Sequence, residues 1–356
     1  MHDADRSEAL QEAVREALAA RRPLRIVGGD TRRAWLPADA ACRSAEPLHL
    51  AGHRGIVHFE ASELVVTARC GTPLAELETT LAAAGQMLTF DPPRFDAAST
   101  LGGALATGLS GPSRPWRGAA RDAVLGVRLL DGHGASGRFG GEVMKNVAGY
   151  DVSRLVTGAW GTLGVMLDAS LRVCSLPEQD TTVQQELGLA AALQRMTALQ
   201  RRPLPIVGLA WSEGVLRVRL AGTGAGVRAA VTQLGGDVDA RGQDFWCDLR
   251  DLRLPLFHAD GALWRLSLPA NAAQPAIPAN WLLDWGGAQR WCITDASADR
   301  VHEVARAAGG HALRVRPDLQ RAPLSAGVAR LTERIRGAMD PSTLFNAGAL
   351  YPAGPA

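Results

Sequence analysis

No C-x-x-C pair occurs among the five cysteines, Cys42, Cys70, Cys174, Cys247 and Cys292, so no local segment offers a zinc knuckle or an iron–sulfur cradle. An odd, scattered set reads as reduced thiols of a cytoplasmic protein. The eight histidines are scattered too, and no metal site is expected. No apolar run approaches the length of a bilayer span. The amino terminus, MHDADRSEALQ, is polar and acidic where a secretory leader is basic and then apolar. A cytoplasmic location is expected, with the inner membrane reached only through partners. A formal net charge of +2 obliges no face to be strongly basic, which excludes nucleic acid as the expected partner. Lysine is almost missing: Lys145 is the one lysine among 38 basic residues, and its escape from an arginine bias marks it as a candidate.

Glycine, by contrast, is concentrated. Of 39 glycines, 15 fall between Ser99 and Gly164, so the backbone there must repeatedly turn with positive φ or approach something closely. Two pieces bracket the stretch: Ser99, Thr100, Leu101, Gly102 and Gly103 at its start, and Gly161, Thr162, Leu163, Gly164 and Val165 at its end. Each sets a small hydroxyl beside glycines and main-chain N–H groups, the makings of a nest for anionic oxygens. A branched side chain at Gly103 is expected to fill the ligand's space and force a disallowed φ.

At 356 residues, 47% hydrophobic and 21% charged, the chain reads as a folded protein too long for one comfortable core, and two domains are expected. Leu10, Ala13, Val14, Ala17 and Leu18 recur at helical spacing, and Leu24 to Val27 reads as a strand ending on Gly28 and Gly29. No G-x-G-x-x-G opens a helix after it, which excludes the doubly wound dinucleotide fingerprint. Strands follow at residues 48–50, 56–59 and 64–68. Thr72 reads as the N-cap, and Pro73 as the first residue, of a helix burying Leu74, Leu77 and Leu81. Ala123 to Leu130 and Leu163 to Val173 read as strands, with Val152, Leu155 and Val156 on one face of a short helix between them. Beyond Pro177, strands and helices alternate as in an antiparallel α+β layer. Six of the nine tryptophans fall there, between Trp211 and Trp291, where packing or subunit contact is their expected role. Val328, Leu331 and Ile335 share one face of a last helix, stopped at Asp340-Pro341.

The order GGDT (Gly28, Gly29, Asp30, Thr31), STLGG, GLSGPSR (Gly108 to Arg114), VMKNVAGYD (Val143 to Asp151), GAWGTLGV (Gly158 to Val165) and DPSTLFNAGAL (Asp340 to Leu350) resembles flavoproteins of the vanillyl-alcohol oxidase and p-cresol methylhydroxylase type. Within them it most resembles the FAD-binding subunits of bacterial glycolate oxidases. The resemblance implies an α+β fold: a two-subdomain FAD-binding domain over residues 1–177, a reduced antiparallel α+β cap over 178–322, and a segment, 323–356, that returns to the FAD domain. It also implies FAD, held noncovalently because GGDT lacks the histidine to which some relatives attach flavin. Cofactor contacts are expected at Gly28, Gly29, Asp30 and Thr31 along the pyrophosphate, at Ser99, Thr100, Leu101, Gly102 and Gly103, and at Gly108, Gly111 and Arg114. The same expectation covers Lys145 and Asn146, Gly161, Thr162, Gly164 and Val165, and Asn346.

Oxidation of a 2-hydroxy acid needs a carboxylate clamp, a base for the hydroxyl proton and an open flavin face. Arg114, Arg117, Arg121 and Arg154 are clamp candidates. Catalytic partners in this family carry H-x-G-D-G-N-x-H histidines. The nearest echo here, His258-Ala259-Asp260-Gly261, lacks the Asn and the second His, so no catalytic base is assigned and His258 reads as a surface residue. Two functions stay open. One is a redox subunit acting on a small 2-hydroxy acid together with a larger FAD-containing catalytic subunit and an iron–sulfur subunit. The other is a stand-alone flavin oxidase or dehydrogenase of a small hydroxy or sugar acid. A scaffold with an empty nest is the third alternative.

Overall fold

The helical spacing near the amino terminus produces the helix Ser7–Ala19, which buries Leu10, Val14 and Ala17 along one side; β1 (Leu24–Val27) follows it. The structure, a computed structural model, describes residues 3–141 and 151–351. The chain divides into two units. The first takes in the chain up to Leu109, Ala119–Leu176 and the stretch from Pro323 on; the second is Ser110–Gly118 with Pro177–Ala322.

In the first unit β1 pairs in parallel with β2 (Glu46–His49). The terminal segment returns to run beside it: the Leu24 N–H donates to the Leu344 carbonyl at 2.7 Å, and the Asn346 N–H to the Leu24 carbonyl at 3.0 Å. Leu344 and Phe345 thereby enter one buried cluster with Leu10, Val14 and Leu24, so a strand edge that would otherwise hold unpaired polar groups is covered. A second sheet is built from β3 (Ile56–Glu60), β4 (Val65–Arg69), β5 (Gln86–Leu88), β6 (Val124–Leu130), β7 (Ser136–Gly140) and β8 (Val165–Ser175). Its order is β3-β4-β8-β6-β7, with β5 also on β8, and every pairing is antiparallel.

The helix Leu74–Ala83 packs Leu74, Leu77 and Leu81 into this core as expected. Its cap differs. Pro73 is the N-cap residue, and the buried Thr72 hydroxyl instead ties back to Gly55, accepting from its N–H at 2.9 Å and donating to its carbonyl at 3.2 Å. The helix Val152–Val156 is capped by the Asp151 carboxylate, which accepts from the Arg154 N–H at 3.0 Å. A helix this short buries only Ser153 and Val156, and Leu155 is exposed. Periodicity also overreached on the helix Ala326–Met339: Val328 and Leu331 share a face, yet both are exposed.

The second unit is a nine-stranded sheet of β9 (Gln179–Glu186), β10 (Ile206–Ser212), β11 (Val215–Gly222), β12 (Asp237–Val238), β13 (Leu263–Ser267), β14 (Asn280–Asp284), β15 (Gln289–Ile293), β16 (His311–Arg316) and β17 (Gln320–Arg321). The order is β12-β9-β11-β10-β14-β15-β13-β16-β17. The hairpin of β10 and β11 turns on Glu213 and Gly214, both at positive φ, the backbone that matches strand twist in a two-residue loop. The helix Gly242–Arg250 escaped the sequence reading. Its apolar face is only Phe245, Trp246 and Leu249, anchored by the Trp246 indole donating to the Thr182 hydroxyl at 2.9 Å. Ser110–Gly118, placed in the first domain on sequence grounds, groups with this unit because Trp116 packs against its core. Among the described residues no helix is long and apolar enough to cross a membrane.

Candidate functional site

Three glycine-bearing turns of the first unit converge on one groove. The end of β1 delivers Gly28 and Gly29 hard against residues 98–100: a Cβ on Gly28 would lie 2.3 Å from Thr100 Oγ1, and one on Gly29 would lie 1.8 Å from the Ala98 carbonyl oxygen. Gly161, at φ +71°, lies equally close to Asn346, whose Nδ2 would be 2.7 Å from its Cβ. Asn346 joins the turns. Its Oδ1 accepts from the Ile26 N–H at 2.8 Å and its Nδ2 donates to the Trp160 carbonyl at 2.6 Å. A cleft of about 560 Å³ is lined by Gly28, Gly29, Asp30, Thr31, Thr100, Gly103 and Asn346. A second, of about 430 Å³, shares Gly28, Thr100, Gly103 and Asn346 with it and adds Gly102, Gly161 and Gly164.

The donors are unequally distributed. The main-chain N–H groups of Gly28, Gly29, Asp30 and Thr31 meet no acceptor among the described residues. Most of those of the STLGG turn are engaged: Ser99 donates to the Asp96 carbonyl at 3.2 Å, Leu101 to the Thr72 carbonyl at 2.9 Å, Gly102 to the Cys70 carbonyl at 2.7 Å, and Gly103 to the Thr100 hydroxyl at 3.2 Å. STLGG therefore lines the groove with fewer open donors than GGDT. Gly103 sits inside the helix Leu101–Thr107 without a positive φ. Its requirement is space, since a Cβ would come 3.1 Å from Arg32 Nη1.

The other expected contacts divide. Ser99 is buried, its hydroxyl 3.1 Å from that of Thr31, a bond that ties two turns together. The side chains of Leu101 and Val165 are wholly buried in core clusters. Gly108, at φ +63°, is the left-handed end of the helix Leu101–Thr107. Thr162 donates its hydroxyl to the Ala159 carbonyl at 2.7 Å and lines a different cleft. Gly111 and Arg114 belong to the second unit: the Gly111 carbonyl accepts the Trp285 indole N–H at 3.0 Å, and the Arg114 guanidinium lies 4.5 Å over the Trp285 ring. Lys145, Asn146 and Tyr150 lie outside the described residues.

Three arginines line the first cleft that sequence reasoning did not single out, Arg25, Arg32 and Arg33. Arg25 Nη1 is 2.6 Å from Asp30 Oδ1, and Arg33 Nη1 is 3.6 Å from Asp30 Oδ2, so two cations share one carboxylate. Burial lowers the Arg32 guanidinium pKa to about 10, against the pull of Asp96. That guanidinium donates to the Pro93 carbonyl at 2.9 Å and to the Thr31 hydroxyl at 3.2 Å. The Nε atoms of Arg25 and Arg32 are buried without an acceptor. A row of open N–H groups, surplus positive charge and a floor that no Cβ could share together suit a doubly charged pyrophosphate. The signal was present, since all three arginines flank or adjoin GGDT, but arginine is too common in this chain for position alone to stand out.

Residues 4–140 match the FAD binding domain family. Over 352 residues the chain is 43% identical to the glycolate oxidase subunit GlcE of Escherichia coli (strain K12), and the match covers 99% of both chains.

The chain belongs to the glycolate oxidase subunit GlcE family.

The glycolate oxidase subunit GlcD of Bacillus subtilis (strain 168) is 30% identical over 36% of this GlcE-family chain and 27% of its own length. The D-2-hydroxyglutarate dehydrogenase of Xanthomonas citri pv. viticola is 30% identical over 41% of this chain and 31% of its own. The chain thus spans under a third of either. Among solved structures, an alkyldihydroxyacetonephosphate synthase superposes with a TM-score of 0.66 over 96% of this chain and 74% of its own, at 17% identity, a likeness of fold alone. The α+β reading made from the sequence agrees with it.

Proposed function

We propose that this chain is the FAD-binding redox subunit of a complex that oxidises glycolate or a related 2-hydroxy acid. The observation that carries the reading is the open row of N–H groups on Gly28, Gly29, Asp30 and Thr31 beside Arg25, Arg32 and Arg33, in a GlcE-family chain. These groups hold the pyrophosphate, Gly28, Gly29 and Gly161 supply the room, and Asn346 with the Thr31–Ser99 bond keeps the turns in place before the ligand arrives. Attachment is noncovalent. FAD, when bound, accepts an electron pair and can release electrons singly. The first unit is the FAD domain, and the second, which includes Ser110–Gly118, a reduced cap.

Asp30 is the one carboxylate lining the described groove, and it is paired with Arg25, which leaves it unsuited to taking a hydroxyl proton. Abstraction from the acid is assigned to a larger FAD-containing subunit, and onward electron transfer to an iron–sulfur subunit. The purified chain is expected to display the two visible flavin bands. These should bleach on adding glycolate only when the larger subunit is present. Bleaching by the chain alone would make it a stand-alone dehydrogenase, and a flavin-free chain that cannot be reloaded would leave only the scaffold.

A further inference from the structure

Asp30 sets a negative charge inside the very turn that offers its N–H groups to an anion. Its carboxylate lines the groove beside Arg25, Arg32 and Arg33, with Oδ1 2.6 Å from Arg25 Nη1 and Oδ2 3.6 Å from Arg33 Nη1. The position does not require an acid. Among the described residues that carboxylate accepts no main-chain N–H, so it does not shape the turn, and the backbone at φ +54° suits glycine or asparagine at least as well. Nor is it sealed off: the Asp30 side chain is 38% exposed and that of Arg33 50%.

A carboxylate so placed opposes any phosphate that enters the turn, by like charge and by holding guanidinium N–H groups that the phosphate needs. Arg32 is engaged differently, with the neutral Pro93 carbonyl and Thr31 hydroxyl. Three guanidiniums against one carboxylate leave the groove with two positive charges. A pyrophosphate esterified at both ends carries about two negative charges at neutral pH, and one with a free end carries about three, because a terminal phosphate ionises again near pH 6. Each added charge meets the same opposing carboxylate.

We propose that Asp30 is a specificity-determining residue of this groove: its charge matches the site to a doubly esterified pyrophosphate and sets it against nucleotides that end in a free phosphate. The proposal rests on the reading of the groove as a pyrophosphate site.

Isothermal titration calorimetry of the flavin-free full-length chain with FAD and with ADP, in magnesium-free buffer, tests it. Asp30→Asn should tighten FAD about three- to tenfold, the water-like end of Coulomb's law for groups a few ångströms apart, and should tighten ADP at least about threefold more than FAD, for its additional charge. Both gains should shrink in about 1 M chloride, where screening reaches only about 3 Å. Asp39→Asn, exposed on the same loop and outside the cleft, should change neither affinity. Should Asp30→Asn fail to fold by circular dichroism, Asp30→Gly, at home at positive φ, carries the comparison. Weaker binding of both ligands would show that the carboxylate only braces Arg25, and an equal gain for both would show that it does not discriminate; either result overturns the proposal while FAD binding by the wild-type chain leaves the flavin reading standing. A wild-type chain that binds ADP and not FAD, or neither, would overturn both.

Discussion

Gly29→Ala tests the groove most directly. The added methyl would sit 1.8 Å from the Ala98 carbonyl oxygen and 2.5 Å from its carbon, where ordinary contact begins near 3.4 Å, so one backbone or the other must retreat by about 1.6 Å. Neither is a flexible side-chain tip. Overpacking of this kind costs about 1–3 kcal/mol of folding stability, and the upper end applies where main chain meets main chain. A loop displaced that far also carries its N–H groups out of hydrogen-bond range. Losing two bonds to a charged pyrophosphate, each about 1.5–3 kcal/mol, weakens FAD by about a hundredfold or more. Flavin fluorescence titration and urea denaturation of the same preparations measure both effects. Gly103→Ala meets the far end of Arg32 at 3.1 Å and the Thr100 hydroxyl at 3.3 Å, both side-chain atoms, and should cost less than tenfold. Gly337→Ala, exposed and helical with nothing within 4 Å, should be about 0.5–1 kcal/mol more stable with flavin affinity unchanged. A folded Gly29→Ala protein that binds FAD as wild type would refute the assignment of this loop.

Three further outcomes are expected. Asn346→Ala removes the acceptor of the Ile26 N–H and one donor to the Trp160 carbonyl and places alanine at φ +44°, a loss of about 2–4 kcal/mol by urea denaturation; Asn346→Asp, which keeps the acceptor for Ile26, should lose less. At Asp168, burial pushes the carboxyl pKa up, but bonds from His53 at 3.3 Å and Arg128 at 2.6 Å more than offset this and hold it below the usual range. A depressed folded pKa stabilises fully above the unfolded value of about 4, and that contribution is lost as pH falls through the folded value. Wild-type stability should therefore decline below about pH 4, and Asp168→Asn, costing about 3 kcal/mol near neutrality, should flatten that decline; parallel pH curves would count against the network. Burial raises the Cys70 thiol pKa and takes that of Cys292 to about 12, so native-state alkylation followed by peptide mass analysis should leave both unmodified until the protein is denatured.

Much of the architecture was legible from short-range rules. The i, i+3, i+7 spacing of Leu74, Leu77 and Leu81 placed a buried helix, and GGDT after a strand placed the turn on which the groove depends. Each depends on residues within a turn or two of one another. The same rules overshot at Leu155, Val328 and Leu331, because periodicity marks an apolar face and says nothing about what covers it.

The sequence by itself determined where backbone must turn tightly and which residues could line such turns. Only the tertiary structure decided which of them keep a function to offer. STLGG and GGDT look equally rich in donors on paper, yet the carbonyls of Thr72 and Cys70 take the Leu101 and Gly102 N–H groups of the first, while those of the second stay open. Asn346 reaches the groove because β1 takes the terminal segment as a neighbour across more than three hundred residues. Three arginines among many became a charged site because the fold brings them to one cleft, where two of their Nε atoms have no partner. Hydrogen-bond capacity is a local property of a residue; whether it is already used depends on contacts that sequence distance does not reveal.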